Sequence, residues 1–436
     1  MKAWRASLLH CLADPGENSD PTAWEYVDDG LLVVDEGRIV AAGDAEAVLQ
    51  TLPAGVEVVD SRDKLIVPGL IDCHVHFPQL DIIGSYGAQL LDWLNQYAYP
   101  AEIRFADPEH AREVARVFVD ELLRNGTTTA LVFGTVHAHS ADAIFEAAEA
   151  RQMRLIAGKV LMDSNCPEGL RDDAESGYAD SKALIERWHG RGRLGYAITP
   201  RFALTSSEAQ LAAAGRLARE HPDVWVHTHL AENHDEVEEI ARLFPDSRSY
   251  LDVYDRFGLL RERSVFAHCL HMDDTDRTEM ATKGGAAAFC PTSNLFLGSG
   301  LFRLPAMRAA GIRCGLGTDV GGGTSLSLLR TASEAYKVLQ LQGQSLTGFR
   351  ALYLATLGGA EALHMDDRIG SFQIAHLQAD MVHRAALALP RTVFAVRPQG
   401  EVALCAADMG EFTAHAVLRA DAQMPAHQLF QQANRA

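Results

Sequence analysis

No run of about 18 apolar residues occurs in this 436-residue chain, which argues against a membrane-spanning helix. Also missing is any lysine or arginine block: acidic residues outnumber basic ones 58 to 39, for a net charge of −19, so nucleic acid and anionic membrane are disfavoured as partners. The expected ligand is small and not strongly acidic. The seven cysteines are odd in number and scattered, with no C-x-x-C pair, as expected of free thiols in a reducing compartment. Near the start, Lys2 and Arg5 precede only a short apolar piece, Leu8 to Ala13, broken by His10 and too weak for a secretory leader. The expectation is a soluble cytoplasmic protein. No internal repeat or low-complexity tract is present, and 47% hydrophobic content supports a large folded core.

Against that background the segment Val67–Gln79, VPGLIDCHVHFPQ, stands out. An apolar strand runs into two histidines one residue apart, and because side chains on a strand alternate faces, His74 and His76 point the same way. They make half a metal site at the carboxyl end of a strand. Beyond it, β-rich runs alternate with amphipathic helical stretches. Seven further strands are expected at 127–133, 154–161, 194–199, 224–230, 264–270, 285–290 and 312–318. Helices at 108–124, 141–151, 207–220 and 325–341 lie between them, several opened by Ser, Asp or Pro. Eight strands with intervening helices favour a TIM-like (β/α)₈ barrel over 67–369. Residues 1–66, with short strands at 31–34, 38–42 and 56–59 punctuated by Gly and Asp, read as a small β-rich domain, and 370–436 is a C-terminal candidate to complete it.

In a barrel, further ligands come from other strand ends. His227 and His229 share one face of the strand VWVHTHLAE, with Glu232 just after; His268 closes VFAH; Asp319 closes CGLGTD. His227 lies a layer deeper than His229 and is assigned to packing. His271, past its strand end, is expected to be solvated, and His137 with His139 falls in a loop opening a helix, at the periphery. Imidazoles and a carboxylate without a nearby thiolate suit Zn²⁺ or Fe²⁺, with zinc the default. A position left for water makes such a site catalytic, because the metal lowers the pKa of that water to about 7. Glu232 is then the natural proton shuttle.

With these residues in place the chain resembles the amidohydrolase superfamily, whose opening signature matches Pro68-Gly-Leu-Ile-Asp-x-His74-x-His76. Within it, the segments Phe77–Glu102 (with Ser85-Tyr-Gly), Thr199–Ala203, His229–Asn233, Cys290–Gly298 and Gly317–Gly323 are similar to those of guanine deaminases. The resemblance implies a zinc ion, one per subunit, on His74, His76, His229 and Asp319, with Glu232 and His268 beside the activated water and Gln79, Arg201 and Phe202 in a purine pocket. It implies hydrolytic deamination of guanine to xanthine and ammonia, a role in purine catabolism, and a homodimer. Water would add at C2, Glu232 would pass its proton to ring N3, and Asp319 with His268 would orient the nucleophile. Arg201 has a physical rationale, since its guanidinium can donate to the C6 carbonyl of guanine where adenine offers only an amino donor. The H-x-E and P-C-x-x-C motif of cytidine deaminases is absent. Two rivals remain: another member of the superfamily acting on a triazine or adenosine derivative, and a catalytically dead barrel used as a scaffold. After Gln373 the family's β-branched run is replaced by QIAHLQADMVH, read as a divergent tail or an altered reading frame, which intact-mass measurement with resequencing separates.

Overall fold

The computed structural model describes residues 1–86 and 89–373, and the backbone of three later strands. Two compact units divide the chain: residues 1–68 with 345–353 and 367–436, and residues 69–344 with 354–366.

The larger unit is built on parallel strands: Leu70–His76, Thr127–Phe133, Arg154–Gly158, Leu194–Pro200, Trp225–Leu230, Ser264–His268, Ala286–Phe289 and Arg313–Leu316, hydrogen-bonded in that order. A two-residue strand, Val160–Leu161, pairs with Leu194–Pro200 beyond a break at Lys159. Nearly every strand residue is buried, as required of a parallel sheet filled on one face and covered by helices on the other. Closure comes from the stretch that follows the last strand. There the Asp319 N–H donates to the His74 carbonyl at 2.9 Å, and the His76 N–H donates to the Val320 carbonyl at 2.9 Å. The expected eight-stranded barrel is what the chain forms.

The helix Pro108–Arg124 shows how local sequence sets the surrounding layer. Asp107 caps it by accepting from the Glu109 N–H at 2.9 Å, and Pro108 begins it where no backbone donor is needed. Ala111, Ala115, Phe118 and Leu122 recur at helical spacing and are buried, and Gly126 at φ 82° turns the chain into the next strand. Burying a side chain such as Phe118 or Leu122 contributes about 1.5–3 kcal/mol.

In the smaller unit four strands pair in the order Arg38–Asp44, Trp24–Asp35, Lys2–Cys11, Glu57–Ile66. The piece around Leu8, read from sequence only as a weak apolar run, is an interior strand, antiparallel to Trp24–Asp35 and parallel to Glu57–Ile66. His10, which breaks the apolar pattern, is buried and bonded to Ser371 at 2.8 Å and Glu25 at 3.0 Å. Strands Thr392–Arg397, Glu401–Ala406 and Ala416–Leu418 form a separate antiparallel sheet. The departure from the family pattern after Gln373 otherwise lies outside the described residues.

Candidate metal and substrate site

Four strand ends deliver the polar groups. His74 and His76 leave the first barrel strand on one face, and Phe133 from the second packs its ring against His76 at 4.7 Å between centroids. His229 leaves the strand Trp225–Leu230. His268 and Asp319 sit at φ 73° and 49°, left-handed backbone that non-glycine residues adopt rarely and that is concentrated at functional sites.

The sequence-derived ligands meet. Single donor atoms of His74, His76, His229 and Asp319 all lie within 4.8 Å of one another, and all four residues are buried. His76 Nε2 is 3.2 Å from both His74 Nε2 and His229 Nε2, and Asp319 Oδ1 is 3.0 Å from His74 Nε2. His229 Nδ1 lies 2.6 Å from the Arg201 carbonyl, which only accepts, so Nδ1 carries the proton and Nε2 offers a lone pair to the cluster. Such crowded nitrogens cannot satisfy one another, whereas one cation would take their lone pairs together. The N₃O donor set fits Zn²⁺ or Fe²⁺.

His227 corrects the sequence reading. It is buried as expected, but its Nε2 lies 2.8 Å from His74 Nδ1, so it orients a member of the cluster as well as filling space.

Glu232 and His268 flank the cluster. His268 Nε2 is 3.3 Å from Glu232 Oε2 and 3.7 Å from Asp319 Oδ2, while Asn294 Nδ2 lies 2.8 Å from His268 Nδ1. Burial lowers the His268 pKa to about 3 and that of His76 to about 4, so both are neutral near pH 7. Burial, reinforced by the negative charge of Asp319, pushes Glu232 well above the usual carboxylate range. For Asp319 the same burial is outweighed by His74 and by hydrogen bonds from His74 and His76, which hold it well below that range. Two carboxyls driven apart in this way suit different tasks, one staying ionised and the other exchanging a proton.

Beside the cluster lies a pocket lined by Gln79, Arg201, Phe202, Glu232 and Asp319 with the apolar Leu90, Trp93, Leu94 and Leu297. Apolar walls with a few polar groups suit a small heterocycle. Phe202 is buried, its ring 6.2 Å from that of His229. Sequence reasoning missed Glu102 and Tyr99, which flank Arg201, and the wall from Leu90 to Leu94. No spacing rule links Glu102 to Arg201, and only its place in the family-like segment 77–102 pointed toward it. His271 is partly buried, its Nε2 3.0 Å from the Ser299 carbonyl and its ring tilted against that of His234 with centroids 3.8 Å apart, so the expected solvation is not what the structure has. His139 Nε2 bonds the Phe105 carbonyl at 2.8 Å and His137 precedes the helix Ala138–Arg151, apart from the cluster.

Residues 65–384 match the model of the amidohydrolase family. The curated guanine deaminase of Escherichia coli is 52% identical over 89% of this chain and 89% of its own length. A solved E. coli guanine deaminase superposes with a TM-score of 0.83 at 47% identity, covering 89% of this chain and 95% of that one. A guanine deaminase from C. acetobutylicum, solved with guanine bound in its active site, gives a TM-score of 0.79 at 28% identity over 85% of this chain and 88% of its own. An adenosine deaminase from Xanthomonas campestris, solved with zinc, gives 0.74 at 25% identity over 85% of this chain and 82% of its own. With its barrel, its cluster of buried donors and a relative at that identity over most of its length, this chain belongs to the amidohydrolase family, among the guanine deaminases.

Proposed function

We propose that this protein hydrolyses guanine to xanthine and ammonia, using a divalent ion, zinc by preference, held by His74, His76, His229 and Asp319. The observation that carries the reading is the convergence of those donors beside a pocket that Arg201 and Gln79 also line. When bound, the ion supplies Lewis acidity that lets water ionise near neutral pH. Glu232 is placed to take one proton of that water and deliver it to ring N3, and then to carry the remaining proton, from the hydroxyl added at C2, to the departing amine as the C2 carbonyl forms. His268 and Asp319 flank the water and fix its direction of approach to C2. Phe202, Trp93 and Leu297 hold the purine in an apolar slot that excludes bulk water, and Arg201 donates to the C6 carbonyl. A water and guanine become xanthine and ammonia, with no other reactant.

An adenosine or triazine substrate would leave Arg201, buried and positively charged, without that acceptor, so these readings are disfavoured. No helix among the described residues is long and apolar enough to cross a membrane. Cytoplasmic location and a homodimer accompany the reading, and light scattering tests the latter.

The decisive experiment measures ammonia release from guanine, adenine, cytosine and a triazine, with metal analysis on the same sample. Ammonia from guanine, with about one zinc per chain, is expected. Activity on the triazine without guanine would overturn the assignment, and a folded, metal-free, inactive protein would favour the scaffold.

A further inference from the structure

Glu102 has its carboxylate in the interior, 1% exposed. It bonds two residues that sequence and site geometry both place in the pocket. Its Oε1 accepts from Gln79 Nε2 at 2.8 Å and its Oε2 accepts from Arg201 Nη1 at 2.6 Å. The three come from separate segments: Gln79 from the short helical turn Phe77–Ile82, Glu102 from the helix Tyr99–Ile103, and Arg201 from just after the strand Leu194–Pro200. That helix also sets the Tyr99 ring 5.2 Å from the guanidinium carbon, so Arg201 is gripped by a carboxylate and an aromatic ring from one element. Gln79 is pinned at its other end, where its Oε1 accepts the Gly321 N–H at 3.0 Å.

We propose that Glu102 is a positioning residue for substrate selection, holding Arg201 and Gln79 as one preorganised recognition unit. The inference rests on the guanine reading above and extends it to the source of discrimination. A carboxylate is needed for a chemical reason: both of its partners are donors. A carboxylate accepts from two directions, whereas an isosteric amide must turn its NH₂ toward Gln79 or toward Arg201, setting donor against donor. It also leaves the buried guanidinium without its counter-charge, which is costly for an uncompensated interior ion. With Arg201 free to leave its aim, a C6 carbonyl and a C6 amino group become harder to tell apart.

A purely structural Glu102 predicts lost stability with unchanged selectivity. The positioning role predicts that Glu102→Gln keeps its metal and raises KM for guanine by about tenfold or more with a smaller change in kcat. It also predicts that the preference for guanine over 2,6-diaminopurine falls about tenfold, and that Glu102→Asp, which keeps the charge, recovers part of it. Adding Glu102→Gln to an Arg201→Ala background should then change KM little, because the two act as a unit. A Glu102→Gln enzyme whose KM and preference stay within about twofold of wild type would refute the role. If that variant folds poorly, the double variant decides: an equal loss with and without Arg201 overturns the proposal. Wild-type protein that binds metal but releases no ammonia from guanine would instead remove the guanine reading, and this inference with it.

Discussion

Arg201 serves the two halves of the site through different atoms. Its main-chain carbonyl fixes His229 through Nδ1, and its side chain faces the pocket beside Glu102. Substituting Arg201→Ala keeps the carbonyl and removes the guanidinium. Metal content should therefore stay at the wild-type level while KM for guanine rises, and coupled loss of metal would show that the side chain supports the cluster as well. For Glu232→Gln the shape persists and the exchangeable proton is lost, so guanine and metal still bind but kcat falls by about two orders of magnitude or more. Turnover within a few-fold of wild type would take Glu232 out of the proton transfer. Much of this site was legible because two local rules apply: alternation along a strand pairs His74 with His76, and a polar tip closing an apolar run marks His229, His268 and Asp319. Alternation also puts His227 on the face of His229, but it cannot say that His227 Nε2 meets His74 Nδ1. That contact joins strands far apart in the chain, as does the bond from Glu102 to Arg201, and only the folded barrel brings them together.

Barrel strands were legible for the complementary reason that they are buried on both faces and read as short apolar runs bounded by turns. Thr127–Phe133 has the bounds expected of it, as does the helix Pro108–Arg124 with its Asp and Pro start. The expected strand 154–161 divides at Lys159, whose ammonium is buried against Asp172 and the Val160 carbonyl, a partnership with no trace in the apolar pattern. Lys2–Cys11 was unreadable as a strand because His10 interrupts it, and what makes that histidine tolerable is a pair of distant partners, Ser371 and Glu25. Close approach between neighbouring strands adds a constraint at Gly158. A Cβ there would lie 1.8 Å from the Ala197 carbonyl oxygen and 2.8 Å from Thr199 Oγ1. Both strands are fixed in the sheet and neither can yield, so Gly158→Ala should lower stability by about 1–3 kcal/mol, the range for overpacking a filled core. A thermal melt reads this directly, and an unchanged midpoint would mean that the strands separate here at little cost.

Across the whole barrel unit, the donors stand on both sides of the seam where the cylinder closes. His74 and His76 belong to the first strand, Asp319 follows the last, and the backbone bonds between the Asp319 N–H and the His74 carbonyl and between the His76 N–H and the Val320 carbonyl are what shut it. Buried Asp72 reinforces the same seam by accepting the Thr318 N–H at 3.0 Å. An ion held by His74, His76, His229 and Asp319 therefore cross-links the start, middle and end of the barrel, and its binding favours the closed fold over the open chain by mass action, about 2.7 kcal/mol at a hundredfold excess over Kd. Chelation should abolish ammonia release and lower the melting temperature together, and added zinc should restore both, which parallel calorimetry, activity and metal analysis would follow. If the ion is removed and activity vanishes while the melting temperature stays put, the backbone bonds and Asp72 hold the seam unaided, and the metal is needed for chemistry alone.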